Sequence, residues 1–167
     1  MKVLLISENT LKQDSLINNN VDSVYLLPAI QVAQDQGLQQ IIGSKLYEKI
    51  CDDVENNSLD NNYKTLLDDY ITPYLEFQVM SDIQIPLNYK FRNLGVNQTT
   101  DEHTYTPGLK DTQYIIEYYA NKAKFYSNRL FDYLLANRSL YPEFLKKDDC
   151  SDIEANKVSY RTNIVLD

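Results

Sequence analysis

The sequence predicts a mainly α-helical fold: a helical bundle with a long C-terminal core helix, an extended or β-hairpin excursion over 81–110, and an extended C-terminal tail. Two observations carry this. Apolar residues recur at three-to-four spacing over 63–77 and again from 111 to about 137, the period of an amphipathic helix. Between those stretches, residues 81–110 hold turn formers and a short alternation around Tyr89 to Phe91, the period of a strand. With 167 residues, 43% hydrophobic and 24% charged, the chain is long enough to bury one core without staples. The expected organisation is a helical domain at 1–145, which carries the excursion, and a tail or arm at 146–167.

In chain order, the apolar run 3–6 is followed by Ser7, a cap for a short helix with Glu8 in its first turn. Asn18 to Asn20 read as a loop, and Asp22 as the cap of the next helix. There Tyr25 or Leu26, Ala29 or Ile30, and Ala33 recur at helical spacing, with Pro28 near the first turn. Gly37 and Gly43 interrupt that pattern. Gly43 is expected to end one helix, and Ser44 to cap another through Leu46, Tyr47, Ile50 and Val54. The polar stretch 51–62 reads as a loop. The helical pattern of Tyr63, Leu66, Leu67, Tyr70, Ile71, Tyr74 and Phe77 contains Pro73, which predicts a kink or a break.

The last helix is expected to start from Asp111 or Thr112 and to bury Ile116, Tyr119, Ala123 or Phe125, Tyr126, Leu130, Tyr133 and Leu134. Each large side chain buried there stabilises by roughly 1.5–3 kcal/mol, so this helix is expected to be the backbone of the core. It also carries a second apolar flank, Tyr118, Phe131 and Leu135. A helix apolar on two sides either sits centrally in its bundle or turns one flank to another chain. After Pro142 a short turn leads into a tail that is polar until Val158 and then ends with Tyr160, Ile164 and Leu166. Two readings of this end stay open: a frayed terminus, or an arm that docks on a neighbour.

The net charge is −8, the wrong sign for gripping phosphates, and no basic run offsets it. Cys51 and Cys150 match no metal or redox spacing and read as reduced thiols. The start is too short in apolar residues for a signal peptide and no stretch reaches membrane-spanning length, so the expectation is synthesis in a cytoplasm and a soluble product.

The search for chemistry yields no catalytic, cofactor-binding or metal site. The one histidine, His103, lies among polar residues, and no nucleophile elbow surrounds any serine. The paired acids Asp52-Asp53, Asp68-Asp69 and Asp148-Asp149 point about 100° apart if helical. The run Asp53, Glu55, Asn57 has the odd spacing of a calcium loop but puts Ser58 where glycine belongs and Lys64 where the closing glutamate belongs. The four glycines are too scattered to cradle a phosphate.

Several motifs, taken in order, do form a pattern: Ala33-Gln34 in the segment AQDQGLQQ; Gly43-Ser44-Lys45-Leu46-Tyr47; Asn93-Leu94-Gly95-Val96; and a tyrosine-rich helix ending at Asn137 before Pro142-Glu143-Phe144. In this order they resemble the small head–tail connector proteins, the neck or portal-adaptor ring proteins, of tailed phages of the crAss-like type. The resemblance extends to about Phe144. It implies a helical virion protein that assembles, commonly as a twelve-fold ring, beneath the portal and joins capsid to tail. Its partners would be further copies of itself, the portal protein and adjacent neck or tail proteins, with DNA passing through the lumen unread. It implies no enzyme activity, no cofactor and no membrane, and a location in the virion neck after assembly in the host cytoplasm. An acidic lumen wall would let DNA slide instead of sticking. Candidate contact residues are Tyr118, Phe131 and Leu135 on the last helix, Arg92 and Asn93 on the excursion, and Tyr160, Ile164 and Leu166 on the tail. The alternative is a small acidic phage-encoded protein that inhibits a host protein or mimics DNA.

Overall fold

In the computed structural model, residues 3–14, 17, 21–92, 95–98 and 108–157 are described. Ser7 caps the first helix, α1 (Glu8–Asp14): its Oγ accepts the Thr10 N–H at 3.0 Å. The next helix, α2 (Ser23–Val32), widens into a π-helical stretch, Ala33–Leu38, and closes with α3 (Gln39–Ile42). Asp22 holds the N-cap position of α2 but makes no side-chain cap bond, and Pro28 lies well inside the helix instead of near its start. Gly43 ends α3 at φ +81°, as its composition predicts. Ser44 opens α4 (Ser44–Glu55) but does not cap it. Its Oγ accepts the Gln39 side-chain amide and the Ile153 N–H instead.

The loop expected at 51–62 shrinks to a turn at 56–60, because α4 runs on to Glu55. Asp53 therefore lies on a helix, buried, where it pairs with Lys49 and accepts the Ser58 hydroxyl. Residues 61–82 form α5 (Asn61–Leu66), a π-helical stretch Leu67–Ile71, and α6 (Thr72–Asp82). Pro73 stands at the start of α6. The proline ring clashes with the carbonyl four residues back, and the widened turn just before it relieves that clash without ending the helix.

The excursion starts later than the sequence implies. The helix persists to Asp82, α7 (Gln84–Asn88) follows, and only then do β1 (Tyr89–Arg92) and β2 (Gly95–Gln98) pair antiparallel, Tyr89 opposite Gln98 and Arg92 opposite Gly95. The last helix, α8 (Leu109–Ala136), is one unbroken 28-residue rod. It begins two residues ahead of Asp111, with Gly108 at the N-cap; the Thr112 hydroxyl donates to the Gly108 carbonyl at 3.1 Å.

The centre of the bundle is α6, not α8. Ile71, Leu75, Val79 and Ile83 are sealed from solvent, with α8 packed on one side of α6 and the π-helical 33–38 stretch and α2 on the other. The α8 face that meets α6 buries Thr112, Ala123, Ser127, Leu130 and Leu134. Phe125, a candidate for that face, is 65% exposed; Ala123 takes the position. Small residues at 123 and 127 let the two helices approach closely, and the aromatics flank the seam. Buried Gln34 ties the N-terminal segment to the core by accepting the Leu5 N–H at 2.8 Å and donating to the Val3 carbonyl at 3.1 Å.

The segment after the bundle folds back. Ser44 N–H donates to the Ile153 carbonyl, Ile153 N–H returns to Ser44 Oγ, and Asn156 N–H donates to the Gln40 carbonyl, all at 2.9 Å. Residues 153–156 thus form a strap over the α3–α4 corner. Asp152 anchors its start by accepting the N–H groups of Asp148 and Asp149 and facing Lys45 at 3.5 Å.

Candidate interaction surface

The apolar residues that α8 leaves uncovered define the candidate surface. At 100° per residue, Tyr114, Tyr118 and Phe125 fall on one line, opposite the buried stripe. They are 72%, 48% and 65% exposed. Behind this line an aromatic ladder fills the seam between α6 and α8. Tyr70 stacks on Tyr133 with centroids 3.9 Å apart, and Phe77 stacks on Tyr126 at 5.1 Å. Phe125 meets Tyr126 edge-on and Tyr118 meets Tyr119 edge-on, so the exposed rings extend the buried ladder outward.

Cations are interleaved. Lys122 lies over the rings of Tyr118 at 4.7 Å and Phe77 at 5.2 Å, and Arg129 over Tyr70 at 4.8 Å. The Tyr118 hydroxyl holds the Lys122 ammonium protonated, raising it above the usual lysine range. Phe77, Tyr118, Asn121, Lys122, Phe125 and Tyr126 together line an open groove of about 400 Å³. Such a surface is mostly apolar, with polar tips that can bond across an interface.

The three α8 residues singled out from sequence do not form one flank. Tyr118 belongs to the line just described. Leu135, 46% exposed, and Phe131, half-buried and set edge-on against Phe144 at 5.6 Å, lie nearly a quarter-turn or more away. Around them Leu140 and Leu145 are also exposed, 44% and 41%. The structure therefore separates an aromatic line from an aliphatic patch at the C-terminal end of α8. Tyr114 and Phe125 were missed as surface residues because each fits a helical repeat as well as a core residue does.

Arg92 ends β1 opposite Gly95. Asn93, His103, Tyr160, Ile164 and Leu166 lie outside the described residues. Among the described residues no disulfide joins Cys51, half-buried, to Cys150, exposed, and no group of three or more His, Cys, Asp or Glu could hold a metal ion. Among them, too, no helix is long and apolar enough to cross a membrane.

Neither a curated protein nor a solved structure matches the chain. A family model does match, over residues 38–154, from the end of the π-helical stretch through α8 and into the strap. The match spans more than half of the chain, which therefore belongs to the family of unknown function DUF6712.

Proposed function

We propose that this protein is a virion structural protein, a subunit of the head–tail connector ring that docks beneath the portal of a tailed phage, joins capsid to tail and forms part of the DNA channel. The observation that carries the reading is the line Tyr114, Tyr118 and Phe125 on the solvent side of a single 28-residue helix. Exposed aromatics in a row beside a groove are costly to leave in water and favour burial against another chain. The ordered motifs from Ala33-Gln34 to Pro142-Glu143-Phe144 resemble connector proteins and supply the identity of the assembly.

The occupant of the aromatic line is a neighbouring copy. Closure of a ring requires a heterologous contact, in which two different patches of one subunit meet their counterparts on two neighbours. The aromatic line and the aliphatic patch of Leu135, Leu140 and Leu145 are two such patches. A net charge of −8 suits a wall past which DNA slides, since phosphates are repelled. The work of such a subunit is assembly, in the host cytoplasm and then in the virion neck, and it calls for no catalysis.

The test mixes the purified chain with the portal protein of the same phage and images the product by electron microscopy. A ring of this chain stacked on the portal supports the reading. Persistent non-association across salt concentrations, with a one-to-one complex on a host protein instead, overturns it in favour of a host-directed acidic binder.

A further inference from the structure

On the other side of α6 from the aromatic ladder, the π-helical stretch 33–38 and α3 leave a concavity of about 280 Å³. Gln36, Gly37, Gln40, Tyr74, Gln78 and Asp82 line it, with Val32 and Ala33 supplying apolar wall. Gly37 makes the pocket possible. A Cβ at this position would sit 2.2 Å from the Tyr74 hydroxyl, so only glycine lets that hydroxyl come this close to the π-turn. π-turns of this kind recur at functional sites because they re-aim the groups beside them.

Two polar groups, the Tyr74 phenol and the Asp82 carboxylate, face the pocket. Tyr74 is 97% buried as a residue and lines the pocket, close enough to Gly37 that its hydroxyl stands at the π-turn. Asp82 is half-buried and receives two bonds from the Gln78 amide, at 3.0 and 3.1 Å, but no lysine or arginine among the described residues pairs with it. Burial pushes the Asp82 carboxyl above its usual range, with the Gln78 bonds opposing, and the Tyr74 hydroxyl rises through burial and the nearby Asp82 charge. A partly desolvated carboxylate without a cation is costly, and a cationic ligand that donates to it, with the Tyr74 hydroxyl beside it, is favoured.

We propose that this pocket binds one guanidinium group. The pocket offers one carboxylate and a phenolic oxygen, with the side chains of Gln36 and Gln40 also lining the small space. A guanidinium carries five donors in a plane and sheds water more readily than an ammonium, so it can use several of these acceptors at once. The apolar wall of Val32 and Ala33 suits the alkyl stem that carries such a group. The stem belongs either to an arginine side chain of a protein partner or to a small free guanidinium compound. The inference is independent of the connector reading.

The test titrates the isotope-labelled full chain with methylguanidinium chloride, with N-acetyl-arginine methylamide and with butylammonium chloride, following backbone amide shifts. Both guanidinium probes are expected to give saturable shifts centred on Gly37, Gln78 and Asp82, and butylammonium weaker ones. Asp82→Asn, which keeps the shape, should weaken binding roughly tenfold or more. Tyr74→Phe should weaken it a few-fold, while Asp68→Asn, on exposed surface, should leave it unchanged. Tighter binding of the arginine amide assigns the pocket to a partner's side chain; equal binding assigns it to a free compound. Shifts that stay linear to about 100 mM for both guanidinium probes, or saturable binding indifferent to Asp82→Asn in a variant whose remaining spectrum is native, overturn the proposal.

Discussion

Replacing Gly43 with alanine tests how the C-terminal strap is held to the bundle. Gly43 sits at φ +81° and ψ 159°, a backbone region essentially reserved for glycine. Forcing a residue with a Cβ into such a region costs about 1–3 kcal/mol. The new Cβ would also stand 3.2 Å from the Ala155 nitrogen and 3.3 Å from the Ile153 carbonyl oxygen, so the strap must give way by a few tenths of an ångström. The strap's backbone bonds are of ordinary length, 2.9 Å from Ser44 to Ile153 and from Asn156 to Gln40, and its movement stretches them. Each is worth about 0.5–1.5 kcal/mol. The total comes to about 2–6 kcal/mol, equivalent to a fall in melting temperature of roughly 4–24 °C for a chain of this size. Urea unfolding gives the stability, and amide hydrogen exchange at Ile153 and Asn156 reports whether the strap itself has loosened. A variant within about 0.5 kcal/mol of the native chain, with both amides still protected, would refute the account.

Other substitutions probe the core, the surface and the pH response. Tyr141 is sealed from solvent, donates to the Asn62 carbonyl at 3.0 Å and meets the Tyr133 hydroxyl at 3.1 Å, so Tyr141→Phe should cost about 1 kcal/mol in urea unfolding. Tyr141→Ala also removes the ring set edge-on against Tyr63 and should cost about 3–5 kcal/mol; equal losses for the two variants would sink this division. The double variant Tyr114→Ser, Phe125→Ser alters exposed positions and should change stability by less than about 0.5 kcal/mol per site while abolishing ring formation on the portal. Unaltered rings would remove the aromatic line from the interface.

The Asp82 carboxyl lies above its ordinary value in the folded chain, chiefly through burial, so the folded state binds more protons than the unfolded one between the two values. The stability it contributes is complete below the unfolded value and is lost as pH rises through the folded one. Asp82→Asn should therefore gain on the native chain as pH rises from the ordinary carboxylate range through the raised one, and a difference in urea midpoint independent of pH would contradict this. Asp152 runs the other way: the N–H groups of Asp148 and Asp149, and then Lys45, lower its carboxyl. Its contribution is present above the ordinary carboxylate range and is lost on acidification, so Asp152→Asn should flatten the acid side of the stability profile.

Local periodicity and local chemistry determined much of this molecule from the sequence alone. The helical period over 63–77 and 111–137, Ser7 as a cap, Gly43 as a helix end and the disturbance at Pro73 are each set by residues within a turn or two of one another. The alternation near Tyr89 likewise marked a hairpin, although helix continued to Asn88 because Gln84–Asn88 has no strong breaker after its proline. Tertiary structure alone decided what depends on residues distant in sequence. It chose Ala123 over Phe125 for the core, put α6 at the centre and α8 on its flank, and split Tyr118 from Phe131 and Leu135. It turned Ser44 from a cap into an anchor for Ile153, and it brought Gly37, Tyr74 and Asp82 around one pocket. Periodicity states that a helix has an apolar side, but which apolar residue is covered depends on the width and depth of the neighbour that arrives there. That neighbour comes from elsewhere in the chain, and for Tyr114, Tyr118 and Phe125 none arrives from within the described residues.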